Sequence, residues 1–262
     1  MGSATTQALA ASTQALAAAK DVTLDTAREL FAAAHAVGES SQLSGALADP
    51  AAPEAARQNV VSAVFGGLSA NTQAILRAAV AERWSNSTEL VDGVEELAIR
   101  ATAIAESGVD IEGELFGFLR IVAANPELEL ALGSRLGAQD AKGVLVERLL
   151  TGTTSAAASL IVSSLVRQPR ERRVRQLLSR AMRIVSSQRG RVVATVHSAT
   201  ELNDAQRTRL SDALSRRYDG QVALNVVIDP TVVGGLRVQI ADDVIDGSIS
   251  ARLADLRQKL AG

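Results

Sequence analysis

The stretch Asp229-Pro230-Thr231-Val232-Val233-Gly234-Gly235-Leu236-Arg237-Val238-Gln239-Ile240 decides how the last third of this chain folds. Just before it, Val222, Leu224, Val226 and Ile228 alternate with Ala223, Asn225 and Val227. That is the two-residue period of a strand with one face more buried than the other. Leu236, Val238 and Ile240 repeat the period against Arg237 and Gln239. Between the two runs, Pro230 cannot donate to a ladder, and Gly234 with Gly235 frees φ for the chain to return. The pattern predicts a β-hairpin with a long loop.

Working outward, Asp246 or Ser248 is placed to cap a terminal helix whose Ile249, Leu253, Leu256 and Leu260 make one apolar stripe. Upstream, residues 192–198 read as a third strand. Leu202 then leads into Asn203-Asp204-Ala205-Gln206, a capping-box pattern, and a helix marked by Leu210, Ala213 and Leu214 that stops at Gly220. The expected order is strand, helix, strand, strand, helix.

Several blocks in this order resemble the C-terminal domain of the ATP synthase delta subunit family, called the oligomycin sensitivity-conferring protein in mitochondria. They are Ala194 through Ser198 and Ala199 with Leu202, Gln206, Leu210 and Leu214; Gly220 with Val222; Asp229 and Pro230 with Gly234 and Gly235; and Ile245, Asp246, Gly247 and Ser248 before Leu253 and Leu256. The resemblance implies a non-catalytic peripheral-stalk subunit without a cofactor. A helical part would receive the N-terminal helix of an alpha subunit on the alpha/beta head, and the C-terminal domain would hold the b subunit. It implies a peripheral place on the cytoplasmic face of a bacterial plasma membrane. Because no b-like membrane segment is read in this chain, a separate b partner is expected.

The first 189 residues read as helices throughout, so the fold class is mostly α with a small α/β (α+β) C-terminal domain, divided as 1–189 and 190–262. Thr23 can cap a helix carrying Ala27, Leu30, Phe31, Ala34 and Val37. After the Asp49–Pro53 loop come Val60, Val61, Val64 and Phe65, then Ile75, Leu76, Ala79 and Val80, then a longer helix from Leu90 to Ile104. Shifted by 85 residues, the chain matches itself without gaps. Glu29, Leu30 and Phe31 fall on Glu114, Leu115 and Phe116, Val37 on Val122, Leu47 on Leu132, Ala56 on Ala141 and Val61 on Val146. A duplicated helical unit follows, 23–107 and 108–189. Members of the family with a single helical domain lack one copy, so the chain resembles the longer actinobacterial form.

Charge is uneven. Residues 1–166 carry a net −9, residues 167–191 a net +8 and residues 192–262 a net −1, which gives the chain's formal −2. The basic stretch reads as one helix, with Arg172, Arg173, Arg175, Arg180 and Arg183 around an apolar stripe of Val174, Leu177, Leu178, Ala181, Met182 and Val185. These arginines are candidate partner-facing residues. A nucleic-acid or anionic-membrane patch is one reading. A solvated face, with pairing to the acidic helical unit or to an acidic partner helix as an option within it, is favoured, since no aromatic residues interleave for base stacking.

Catalytic constellations are close to absent. With no cysteine and only His35 and His197, neither a thiolate site nor a local histidine pair can form. His35 reads as a helix-surface residue and His197 as lying on a strand face. Asp242, Asp243 and Asp246 read as turn and cap residues, and Trp84 as either a core anchor or an interface residue. No Walker sequence occurs. A stand-alone helical adaptor and a nucleic-acid module using residues 167–191 are the alternatives to the stator reading.

Overall fold

Short polar side chains at the ends of loops set where the helices begin, by accepting backbone N–H groups that the first helical turn leaves unpaired. In a computed structural model, which describes residues 2–134, 139–170, 172–218, 220–232, 234–240, 243–249 and 253, Thr23 opens α2 (Leu24–Glu39) in a reciprocal capping box with Thr26. Ser40 opens α3 (Ser41–Ala48), Ser69 opens α5 (Ala70–Ala81) and Asn86 opens α6 (Ser87–Ala105). Asp110 opens α7 (Ile111–Ala124) and Ser155 opens α10 (Ala156–Arg167). The remaining helices of this part are α1 (Ser3–Ala18), α4 (Glu54–Val64), α8 (Pro126–Gly133), α9 (Gln139–Leu150) and α11 (Val174–Gln188).

By its internal contacts the chain divides into two compact units, residues 1–185 and 186–262. In the first, α6 is the spine. Leu90, Val91, Val94, Leu97, Ala98 and Ala101 are all buried, and α6 packs along α2 while touching α1, α3, α5 and α10. Trp84 is a core residue, 3% exposed, and its indole N–H donates to the Ala79 carbonyl at 2.7 Å. Its ring lies against Gly93, where an added Cβ would come within 2.1 Å of Cη2.

The helices repeat in order. From α2 to α6 and from α7 to α11, corresponding helices start 85 to 87 residues apart. One polar contact recurs too. Glu29 on α2 accepts from the backbone N–H of Ser69 at 3.1 Å and its hydroxyl at 2.5 Å. Glu114 on α7 accepts from Ser155 in the same way, at 3.0 and 2.5 Å. Each carboxylate sits on the positive end of the fourth helix of its set.

The sequence missed α3 and α8, whose short apolar runs follow directly on the preceding helix. The basic stretch 167–191 is not one helix: α10 ends at Arg167 and α11 begins at Val174. Pro169 disfavours helical geometry at Gln168 and cannot donate. The apolar stripe expected on the second part is right, with Val174, Leu177, Leu178, Ala181, Met182 and Val185 buried.

The second unit holds β1 (Arg191–Ser198), α12 (Asp204–Tyr218), β2 (Gln221–Ile228), β3 (Leu236–Ile240) and β4 (Asp243–Asp246). The capping box of α12 is present, with Asn203 and Gln206 exchanging hydrogen bonds at 2.9 and 3.0 Å. The expected hairpin is not. The sheet order is β2-β1-β3-β4, so β1 lies between the two strands that the sequence paired, parallel to β2 and antiparallel to β3. A strand–helix–strand crossover puts β2 beside β1. The connection 229–235 then steps over the end of β1, where Ser198 is opposite both Ile228 and Leu236 and its carbonyl accepts the Asp229 N–H at 2.8 Å. β4 was also unforeseen. The stripe expected for a terminal helix lies largely outside the described residues; Ile249 and Leu253 are half exposed.

Replacing Gly93 by alanine tests the Trp84 packing. Helix propensity alone would stabilise by about 0.8 kcal/mol, but the steric clash outweighs it. Urea denaturation is expected to show a net loss of about 1–2 kcal/mol; a gain would remove the close approach from the account.

Candidate functional site

On α6 the spacing Asp92, Glu95, Glu96 puts three carboxylates on one helical face. The residues that follow α10 bring arginines to them. Arg172 binds Glu95 through two parallel bonds of 2.9 and 2.8 Å, the bidentate geometry that a guanidinium makes best. Arg170 reaches Glu95 and Asp92 at 2.7 Å each, and Arg180 reaches Glu95 at 3.1 Å and Glu96 at 3.0 Å. Glu96 also holds Arg100, one turn along α6, at 2.8 Å. The side chains of Glu95 and Glu96 are 6% and 7% exposed. Burial pushes the Glu95 carboxyl up, but the Arg172 hydrogen bonds and the charges of Arg170, Arg172 and Arg180 overcome it and hold the group below its ordinary value. Arg170 takes a left-handed φ of 48° to reach this place.

The basic stretch therefore turns inward over half its charges. Arg172 and Arg180 are spent on α6, Arg175 pairs with Glu129 at 2.8 Å, and Arg173, Arg183 and Arg191 are exposed without a carboxylate partner among the described residues. That weakens the extended positive face a nucleic acid would need. Sequence reading saw the arginines and missed their partners. The signal was there, in three acids at helical spacing interleaved with the apolar Val91, Val94 and Leu97.

In the sheet unit the motif residues lock backbone to backbone. Asp229 accepts from the Thr231 N–H at 3.0 Å and its hydroxyl at 2.6 Å, closing a turn at the exposed Pro230. Those two bonds, with smaller help from Arg237 and His197, hold its carboxyl below the usual range. Gly234 and Gly235 have φ of 61° and 93°, and a Cβ on Gly235 would meet the Gly247 carbonyl at 2.4 Å. Gly247 donates to Leu236 at 2.8 Å and Ile249 to Gly234 at 2.9 Å, while Asp246 accepts from the Ser248 N–H at 2.9 Å. Ala194 and Ser198 are buried on β1, and Ala199 is exposed just beyond it. The glycines and aspartates thus fasten the 229–235 crossing to the segment after β4.

His35 is half-buried, not on the surface, with Nε2 2.9 Å from the Ser164 carbonyl. Burial lowers its pKa against the raising effect of that bond. His197 Nδ1 is 3.6 Å from Asp229. No cluster of three metal-ligating side chains occurs among the described residues, and none of their helices is long and apolar enough to cross a membrane.

The family model of the ATP synthase delta (OSCP) subunit matches residues 97–260. This chain belongs to that family. As a member of it, the protein is a non-catalytic ATP synthase subunit. ATP synthase subunit delta of Leifsonia xyli subsp. xyli is 48% identical over 264 residues, covering all of both chains. The delta subunit of Streptomyces avermitilis is 39% identical over 98% of each chain, and that of Thermobifida fusca 38% over 89% of each. The match to the delta family model begins within α6 and takes in α7–α11 and the sheet unit as far as residue 260.

Glu95→Gln leaves three part-buried guanidinium groups short of a counter-charge, and is expected to cost about 3 kcal/mol at neutral pH. Because the folded pKa of Glu95 is depressed, its contribution is complete above the unfolded-state value and fades as pH falls through the folded one. Denaturation across pH 2–7 should show the wild type losing its advantage over the variant at the acid end. A constant difference would contradict the assignment.

Proposed function

We propose that this subunit is the stator connector of a rotary ATP synthase, holding the catalytic alpha/beta head through its helical part and the b subunits through its sheet unit. Family membership supports the setting. The observation that carries the reading is that two units, each with its own apolar core, lie in one chain. A strut needs two separately shaped ends and no reacting groups.

Helix-in-groove docking suits the helical part, since an amphipathic segment of the alpha subunit gains affinity from buried anchors and a packed bundle resists bending. The membrane association would be indirect, through the assembled complex on its cytoplasmic side. We read the helical part as a duplication, 23–107 and 108–189, on the strength of the recurring helix order and the Glu29 and Glu114 contacts. In that reading the second copy is the one that corresponds to the family's helical domain, and the first is the addition.

Removing residues 190–262 tests the division of labour. The remaining helical part is expected to bind the isolated catalytic head as the full chain does and to lose binding to a soluble b fragment. Loss of head binding with b binding retained would reverse the assignment of the ends.

A further inference from the structure

One difference between the two sets of helices opens a cavity. In the first set, Arg57 on α4 is 8% exposed and joins four backbone carbonyls. Its Nε donates to Val80 at 2.7 Å and its Nη2 to Ala81 at 2.8 Å, at the carboxyl end of α5. Its Nη1 reaches Asp49 at 3.1 Å and Ala52 at 2.8 Å. The guanidinium thus plugs the space between the end of α5 and the loop before α4.

Eighty-five residues on, the same place on α9 is held by Lys142. Its ammonium donates to the carbonyl of Ser134, the counterpart of Asp49. Its three N–H donors share one nitrogen and cannot also span to the end of α10 as the guanidinium fork does. Among the described residues no guanidinium repeats that plug, and a cleft of about 980 Å³ lies there, between α8, α9 and the α10–α11 connection.

Its walls carry five cationic side chains, Lys142, Arg167, Arg170, Arg172 and Arg173. Asp92 and Glu95 neutralise Arg170 and Arg172 from behind, and Glu147 pairs with Arg167 at 3.2 Å. Among the described residues Glu129 is the one carboxylate on the wall; its Oε2 is held by Arg175, and its Oε1 is buried with no partner among them. Nε and Nη1 of Arg170 are likewise buried and unpartnered. The net local charge is positive, and the amino end of α11 adds to it through Arg173 and Val174. The rest of the wall is apolar, including Pro126, Pro169 and Leu130, which is 75% exposed.

We propose that this cleft is an anion-binding site, taking a small ligand that carries a multiply charged phosphoryl group on an apolar body. Several guanidinium groups around one space match the charge and the acceptor geometry of a phosphoryl group better than those of a single carboxylate. The volume lies within the range of small-ligand pockets. Pro126, Leu130 and Pro169 give an apolar body its contact. The proposal does not depend on the stator reading.

The test is calorimetric titration of the full chain at about 0.1 M salt with inorganic pyrophosphate, and separately with glutarate as a dicarboxylate. Saturable binding of one pyrophosphate is expected, with glutarate weaker. Arg173→Glu should weaken pyrophosphate binding about tenfold or more, and Arg173→Gln should do so by a smaller factor. Arg183→Glu makes the same charge change on α11 away from the cleft and should leave binding within about twofold. The proposal is overturned by absence of saturable binding, by equal losses in the Arg173→Glu and Arg183→Glu variants, or by glutarate binding as tightly as pyrophosphate.

Discussion

A buried carboxylate surrounded by three arginines is the constraint on which the helical part depends. Glu95 has no access to water worth the name, so its charge is tolerable only while Arg170, Arg172 and Arg180 stay in place. An isolated charge in such surroundings costs several kcal/mol. The connection after α10 therefore cannot leave α6 by small steps. Arg170 and Arg172 tie that connection to α6 and Arg180 ties α11 to it, so losing any one of them leaves the Glu95 charge less compensated. The left-handed turn at Arg170 is the local strain accepted for that closure.

The sheet unit reaches rigidity by another route. Its apolar cluster is small, centred on Ala194, Val196, Val238 and Ile240, and its most specific residues contribute no apolar surface. They shape backbone. Asp229 closes the turn, Gly234 and Gly235 allow the chain to run against Gly247, and Asp246 fixes Ser248. Sequence blocks of this kind are recognisable because each position admits few residue types, although none of them performs chemistry. A stiff helical body and a backbone-locked sheet suit a member that transmits force between partners.

Much of this was legible in the chain. Thr23, Asn203 and Gln206 cap as their spacing says, and the stripes on α2, α5, α6 and α11 face the core. The failures have physical causes. Pairing β2 with β3 followed from their nearness in sequence, yet β1 was the better neighbour for both, and that preference depends on a helical crossover that local pattern does not encode. β4 offers only Val244 and Ile245 between acids, too short a run to show a period. Pro169 did signal a break in the basic stretch, and the run of arginines around it hid that signal. The cluster at Glu95 joins residues about 80 positions apart, and nothing local links them. The exchange of Arg57 for Lys142 means little until both sets of helices are seen to place that residue in the same corner.

The central claim is that one chain bridges two partners at once. Native mass spectrometry of the full chain mixed with both the catalytic head and a soluble b fragment tests it most directly. The account predicts a single species containing all three, with neither partner reducing the occupancy of the other. Mutually exclusive binding, in which adding b displaces the head, would contradict it.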